Sequence, residues 1–231
     1  MKKVGIVGGI GPASTLDYYS GIIRGVRTKQ GGEDYPEIII YSINMTKMLA
    51  LVSREDRGAL VTMLLTAVDA LSAAGADFAV IASNTPHIVF EQVRRQSALP
   101  LISIVEATCM QAQTQKVKKA VIIGTRFTMG SGLYAEALDK YHITAVVPTE
   151  SEQEAIHGMI FPKLEDGIVD QEDKQKMLGM IEELLSKHHA DALVLGCTEL
   201  PLMIKDRDVD AIVLNTTQIH IDAIVNAVCS L

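Results

Sequence analysis

Two side chains are candidates for proton-transfer chemistry because they hold matching places in a repeated pattern. Segments 76–83 (ADFAVIAS) and 190–197 (ADALVLGC) both read as a buried strand running into a turn, and Ser83 and Cys197 end them 197 − 83 = 114 residues apart. Gly8 and Gly124 end two other apolar runs at an offset of 116. These offsets, near half of the 231 residues, predict an internal duplication. Because duplicated halves tend to face each other across a cleft, we expect Ser83 and Cys197 to approach one ligand from opposite sides.

Cys197 is the stronger of these two candidates. It follows a predicted buried strand and precedes Thr198 and Glu199, where we expect a helix to begin. A helix N-terminus lowers the pKa of a thiol, and the thiolate is the reactive form. Buried cysteines are otherwise commonly inert, which is our interpretation of Cys109 and Cys229. The place of Cys197 at the carboxyl end of a strand therefore favours a functional thiol.

Alternating short β-branched runs and longer helical patterns must position these residues. The predicted strands are 4–7, 37–43, 78–82, 101–104, 120–123, 145–147, 192–195 and 211–214, and the predicted helices include 16–27, 58–74, 105–115, 132–141, 171–188 and 219–228. This alternation predicts an α/β fold with parallel sheets. We expect two similar Rossmann-like domains related by duplication, with the active site between them. The first would hold 1–100 plus 209–231, with the last strand and helix returning to it, and the second 101–208.

In open α/β sheets, ligands bind outside the carboxyl ends of the strands. The first strand is followed by GGIGP at 8–12, whose backbone N–H groups near a helix N-terminus, at Gly11, can hold a carboxylate. The glycine spacing is not GxGxxG, and no acid follows the second strand, which argues against a dinucleotide. Ser83 lacks the GxSxG context of a hydrolase nucleophile. His87 has two open interpretations, a base or carboxylate donor, or a helix-start residue bonded to backbone.

Composition excludes several classes of function. The net charge of −7 with dispersed acids argues against a nucleic-acid surface and a polybasic membrane anchor. The apolar runs are too short to cross a bilayer. Three scattered cysteines predict neither a disulfide framework nor a metal site. Because the first residues enter a strand at once, without a signal-peptide pattern, we expect a cytoplasmic protein with free thiols.

Four segments carry a family resemblance that spans almost the whole chain. The segments GGIGP (8–12), SNTPH (83–87), GTRFTM (124–129) and GCTEL (196–200) resemble the signatures of the aspartate/glutamate racemase superfamily, in its amino-acid racemase branch. The resemblance implies two similar α/β domains, a homodimer, and racemisation by two cysteines without cofactor or metal. Ser83 stands where the first of those cysteines is expected. The chain thus resembles L-aspartate/glutamate-specific racemases with a hydroxyl residue there.

The substrate-binding residues follow from the strand ends and from the resemblance. Neutral donors at strand ends are Asn84, Thr85, Thr125 and Thr198, which can stabilise a carbanionic intermediate. The family often carries a cation two residues before the glycine equivalent to Gly167, where this chain has Glu165. The substitutes for that charge are Lys163, Arg54 and Arg57.

We therefore expect a cofactor-independent racemase of an acidic amino acid such as aspartate or glutamate. The Cys197 thiolate would remove the α-proton of the L-enantiomer, and Ser83 would lie on the opposite face. Two alternatives stay open. A decarboxylase of the same superfamily needs only one thiol to protonate an enolate, and a non-catalytic amino-acid sensor would explain the serine at position 83.

Overall fold

Eight parallel strands in two sheets organise the fold in the computed structural model, which describes residues 1–32, 34–164 and 166–230. The first sheet contains β1 (Val4–Gly8), β2 (Ile38–Ser42), β3 (Phe78–Ile81) and β4 (Leu101–Ile102), in the order β2-β1-β3-β4. The second contains β5 (Lys119–Ile123), β6 (Thr144–Val146), β7 (Ala192–Leu195) and β8 (Ile212–Asn215), in the order β6-β5-β7-β8. Every strand that the sequence predicts is present, and the α/β fold is confirmed.

Eleven helices in the described ranges connect and cover these strands. They are α1 (Pro12–Gln30), α2 (Met45–Ser53), α3 (Arg57–Ala73), α4 (Phe90–Gln96), α5 (Ile104–Thr114), α6 (Arg126–Gly130), α7 (Leu133–Asp139), α8 (Glu150–Ile160), α9 (Gln171–His188), α10 (Leu200–Met203) and α11 (Thr216–Cys229), with 3₁₀ turns at Thr85–Val89 and Asp206–Asp208. Within the described part of the chain, no helix has both the length and the hydropathy needed to cross a membrane.

The two sheets repeat each other in detail as well as in strand order. Ser83 lies two residues beyond β3, and Cys197 lies two residues beyond β7. Asp77 and Asp191, also 114 apart, each accept a backbone N–H at the start of a neighbouring strand. Lys3 donates to Asp77 at 2.6 Å, and Lys119 donates to Asp191 at 2.8 Å. The duplication that the sequence predicts therefore extends to the contacts that fix where the strands begin.

The boundaries of the two compact units differ from the expected domains. The first unit contains 1–104 and the segment from His220 onward, and the second contains 105–219. β8 pairs with β7, so the last strand belongs to the second sheet and only the helix after it joins the first unit. β4 likewise pairs with β3, while α5 joins the second unit after its first residue. Each edge strand thus forms its backbone hydrogen bonds within its own sheet, while the helix that follows it belongs to the other unit.

In the first unit, α11 packs closely on α1 at two glycines. A Cβ atom built on Gly21 would lie 2.8 Å from the Ile221 Cδ1 atom, and one built on Gly25 would lie 2.6 Å from the Val225 Cγ2 atom. Ile221 and Val225 are buried in a core that includes the first strand and the inner face of α1. The absence of side chains at the two glycines therefore permits this close approach.

We predict that Gly25→Ala lowers the free energy of unfolding by about 1–3 kcal/mol, because Val225 is short, branched and unable to move aside cheaply. Urea denaturation of the purified protein measures the change. Gly179→Ala is the matched control on α9, since a Cβ there meets nothing within 4 Å. That control should gain about 0.5–1 kcal/mol from the better helix former. Equal gains in both variants would contradict the close packing of α11 on α1.

Candidate active site

In the second unit, the thiol of Cys197 is hydrogen-bonded to a carboxylate. The Cys197 Sγ atom donates to Glu199 Oε2 at 3.1 Å, and the Thr198 hydroxyl donates to the same oxygen at 2.8 Å. Cys197 and Glu199 are 5% and 3% exposed. The other carboxylate oxygen, Oε1, is buried without a hydrogen-bond partner in the described part of the chain. The thiol proton therefore has an acceptor within hydrogen-bonding distance. The second oxygen of the same carboxylate has no donor among the described residues.

Two glycines allow the ends of β5 and β7 to approach each other closely just before Cys197. The Gly196 N–H donates to the Ile123 carbonyl at 2.7 Å, and a Cβ on Gly124 would lie 3.0 Å from the Gly196 carbonyl group. The Leu195 carbonyl accepts from the Thr216 hydroxyl at 2.8 Å. These contacts fix the backbone conformation just before Cys197, and with it the direction in which the chain continues beyond β7.

The helix expected after Cys197 is short, and it begins only at Leu200. α10 has four residues, Leu200–Met203, and Glu199 directly precedes it. A helix this short supplies little of the dipole that the sequence argument relied on. The Glu199 carboxylate, rather than a long helix, accepts a hydrogen bond from the thiol.

The remaining predicted residues of the second unit lie in two different places. Thr125 and Thr198 follow the neighbouring strands β5 and β7, so the structure brings them to the same sheet edge as Cys197. The Thr125 hydroxyl caps α6 by accepting the Thr128 N–H at 3.3 Å. Lys163 lies between α8 and α9 rather than at a strand end.

Lys163 already has carboxylate partners of its own. Its Nζ atom lies 2.6 Å from Asp170 Oδ2 and 3.5 Å from Asp173 Oδ2, and the hydrogen bond to Asp170 raises the pKa of the amine. These two acids belong to the start of α9, where Asp170 also caps the helix. Lys163 therefore has a local role at α9, and Glu165 lies outside the described residues.

In the first unit, Ser83 is held by its backbone on both sides. Its N–H donates to the Ile81 carbonyl at 2.9 Å, and its carbonyl accepts from His87 Nδ1 at 2.8 Å. Ser83 and Asn84 are buried, and Thr85 is half-buried at the start of the 3₁₀ turn. The structure therefore brings these three predicted residues to the end of β3, in the same topological place as Cys197, Thr198 and Glu199 at the end of β7.

The glycine loop after β1 belongs to the same sheet edge. Gly9 has a φ of +82°, and its N–H donates to the Thr15 hydroxyl at 2.9 Å. Gly11 directly precedes α1, whose first residue, Pro12, has no N–H, so an anion at this helix N-terminus would rely on the N–H groups on either side of the proline. The Ile43 N–H donates to the Gly8 carbonyl at 2.9 Å, which ties the loop after β2 to the loop after β1.

The two predicted arginines do not follow a strand directly. Arg54 is exposed and ends α2, where its N–H bonds to the Ala50 carbonyl. Arg57 is exposed at the start of α3. In the described ranges no group of three or more His, Cys, Asp or Glu side chains is arranged to hold a metal ion.

Glu199 is a candidate functional residue that the sequence analysis did not single out. It appeared only as part of a motif, although the repeat offered a signal, since 199 − 85 = 114 aligns it with Thr85. An acid that replaces a threonine at the end of a buried strand must be buried with it. A buried carboxylate requires a partner that donates hydrogen bonds, and here the partners are Cys197 and Thr198.

Two buried histidines of the first unit, His87 and His220, meet edge-on with their ring centroids 6.5 Å apart. Burial lowers the pKa of His87 to about 3 and the pKa of His220 to about 4. The Tyr18 hydroxyl lies 2.7 Å from His220 Nδ1, and the Ile102 carbonyl lies 3.1 Å from His220 Nε2. Both ring nitrogens of His87 are bonded to backbone groups, so the structure supports the backbone-bonded interpretation of this residue.

These lowered pKa values predict how stability depends on pH. Histidines in an unfolded chain have a pKa of about 6.5, so below that pH the unfolded state binds more protons than the folded state. The contribution of the two histidines to the free energy of unfolding should therefore be complete above about pH 6.5 and fall as the pH decreases towards about 4. Its slope should approach about 1.4 kcal/mol per pH unit for each histidine. Urea titrations at pH 7.5, 6.5 and 5.5 measure this slope, and equal stability at all three would contradict the neutral pair.

Comparisons with known proteins identify the family of this chain and structures that share its fold. The family model described as Asp/Glu/Hydantoin racemase matches residues 7–224. The broad specificity amino-acid racemase RacX of Bacillus subtilis (strain 168) is 28% identical over 201 residues, which cover 85% of each chain. The crystal structure of an aspartate racemase homologue from Pyrococcus horikoshii OT3 is 35% identical, covers 100% of both chains and gives a TM-score of 0.88. Picrophilus torridus aspartate racemase, 22% identical with a TM-score of 0.78 over 99% of this chain and 94% of its own, shares the fold.

Proposed function

Since this chain belongs to the Asp/Glu/hydantoin racemase family and is an amino-acid racemase, we propose that it interconverts the enantiomers of an acidic amino acid without cofactor or metal. Cys197 acts on one face of the α-carbon, and Ser83 acts on the other. The observation that carries the proposal is the buried Cys197 thiol with its proton directed at the Glu199 carboxylate. The matching place of Ser83 at the end of β3 supports the second half of it.

The reaction begins with the thiol proton. Glu199 takes the proton from Cys197 Sγ, and the thiolate then removes the α-proton of the L-enantiomer and becomes a thiol again. Negative charge spreads into the substrate carboxylate, where preorganised donors stabilise it. Asn84, Thr85, Thr125 and Thr198 are the strand-end donors available for this.

The opposite face of the carbanion receives its proton from Ser83 or from a water that Ser83 orients. A hydroxyl is far less acidic than a thiol, and the nearest histidine, His87, uses both ring nitrogens in backbone hydrogen bonds. One proton has then moved from the Ser83 side to the Glu199 side, and solvent returns it. This reset step is a candidate for the slow step of turnover.

Thermodynamics limits the asymmetry between the two faces. Enantiomers have equal free energies in water, so the equilibrium constant is one and the two kcat/KM values must be equal. The difference between a thiol and a hydroxyl is therefore expressed in kcat and KM separately.

The acidic substrate class rests on similarity and on the available charges. One similar structure is that of an aspartate racemase homologue, and RacX is a racemase of broad specificity. Arg54 and Arg57 are exposed cations after the second strand, while Lys163 is engaged by Asp170 and Asp173. Arg54 and Arg57 are therefore our first candidates for the substrate side chain. A homodimer and a cytoplasmic location stay predictions of the sequence.

Cys197→Ser should abolish interconversion of aspartate and of glutamate, because a hydroxyl cannot form the base that a thiolate provides. Chiral chromatography of the reaction in the presence of a chelator measures D-product formation from each L-substrate. Cys229→Ser, a half-buried cysteine at the end of α11, is the matched control and should keep the wild-type rate. A Cys197→Ser enzyme that racemises normally, or a chelated wild type that a divalent ion restores, would overturn the proposal.

Glu199→Gln should lower kcat by about a hundredfold, because the amide cannot accept the thiol proton and general acid–base groups contribute at least that much. The side chain keeps its size, so circular dichroism and thermal unfolding should change little. Glu183→Gln, on the exposed side of α9, controls for the loss of a negative charge. A wild-type kcat in Glu199→Gln would show that Cys197 loses its proton by another route.

A further inference from the structure

The ring of His87 bridges two loops of the first unit at its sheet edge. His87 Nδ1 lies 2.8 Å from the Ser83 carbonyl oxygen, and the Ile104 N–H donates to His87 Nε2 at 3.3 Å. Ser83 follows β3, and Ile104 opens α5 after β4. The histidine therefore connects the residue expected to act on the substrate with the first turn of the helix that follows the neighbouring strand.

The two backbone partners define the protonation state of the ring. A carbonyl oxygen only accepts, so Nδ1 must carry a proton, and a backbone N–H only donates, so Nε2 must have its lone pair free. His87 is thus the neutral Nδ1–H tautomer. Protonation of Nε2 would remove its lone pair and with it the hydrogen bond from the Ile104 N–H.

The surroundings of the ring prevent it from turning. His87 is 4% exposed, and its ring stacks on Phe90 with the centroids 4.7 Å apart and the planes 8° apart. The ring of His220 meets it edge-on at 6.5 Å. Arg94 covers the ring of Phe90 at 4.5 Å. The direction of the Nδ1–H bond, and with it the position of the Ser83 carbonyl, is therefore set by packing.

We propose that His87 is a positioning residue for Ser83, which it orients by donating a hydrogen bond to the Ser83 carbonyl. It exchanges no proton with the substrate. This inference rests on the proposed function, because it assigns His87 to the face of the substrate where Ser83 delivers a proton. The Cys197 face belongs to the other unit, and its first step does not depend on His87.

Two substitutions separate the two hydrogen bonds. Asparagine can place an amide N–H near the position of Nδ1 and so keep the bond to Ser83 while losing the bond to Ile104. Glutamine can place an amide oxygen near the position of Nε2 and so keep the bond to Ile104 while losing the bond to Ser83. His87→Asn therefore removes only the hydrogen bond to Ile104, and His87→Gln removes only the hydrogen bond to Ser83. Both substitutions should disturb the packing of the core to a similar extent.

The kinetic readout separates the two faces of the substrate. Exchange of the L-substrate α-proton with deuterated solvent reports on Cys197, and D-product formation requires Ser83 as well. We expect His87→Gln to keep the L-exchange rate within a fewfold and to lose D-product formation by about tenfold to a hundredfold, the effect of an ångström-scale misplacement. His87→Asn should retain D-product formation to within a fewfold. The pH profile of both variants should match that of the wild type.

Three results would overturn the inference. They are normal D-product formation in His87→Gln, equal losses in both variants, and equal losses of L-exchange and D-product formation in His87→Gln. Absence of L-exchange in the wild-type enzyme would instead reject the proposed function itself.

A measurement on the wild-type protein tests the tautomer without any substitution. Two-dimensional ¹⁵N–¹H spectra of the histidine rings should show His87 as the Nδ1–H tautomer, with constant shifts between pH 5 and 9. A ring protonated at Nε2, or one that titrates in that range, would overturn the inference even if both variants failed to fold.

Discussion

The chemistry that we propose for this protein depends on the hydrogen bond from the Cys197 thiol to the Glu199 carboxylate. Both groups are buried, and a buried carboxylate is costly unless donors surround it. Cys197 and Thr198 supply those donors to one oxygen only. Just before Cys197, Gly124 and Gly196 allow the ends of β5 and β7 to approach each other closely.

The duplication places side chains of different chemistry at equivalent positions in the two units. Ser83 and Thr85 in the first unit correspond to Cys197 and Glu199 in the second, each at an offset of 114. The second unit has a thiol and a proton acceptor, whereas the first has two hydroxyls and a histidine bonded to backbone. In the mechanism that we propose, one enantiomer meets a thiolate and the other meets a hydroxyl, so the two kcat values should differ.

The sequence predicted the strands and the strand-end loops because apolar runs and turn residues are local signals. It misassigned the last strand, since a local pattern cannot tell which sheet an edge strand joins, and the β8–β7 pairing decides this through backbone hydrogen bonds. The state of His87 depends on Ile104, 17 residues away, and the partners of Lys163 lie at the start of α9. Glu199 belongs to a motif that the sequence analysis identified. Its hydrogen bond with the Cys197 thiol could not be predicted, because it depends on both side chains being buried together in the folded protein.

Solvent deuterium uptake tests the central claim most directly. Proton NMR would follow L-aspartate and L-glutamate incubated with the wild-type protein in heavy water, with a chelator present and no coenzyme added. The account predicts that the α-proton signal of an acidic L-substrate disappears sooner than the D-enantiomer accumulates, because the thiol–carboxylate pair exchanges protons faster than the Ser83 side delivers them. D-product that retains the original α-proton, or no loss of the α-proton from either substrate, would contradict it.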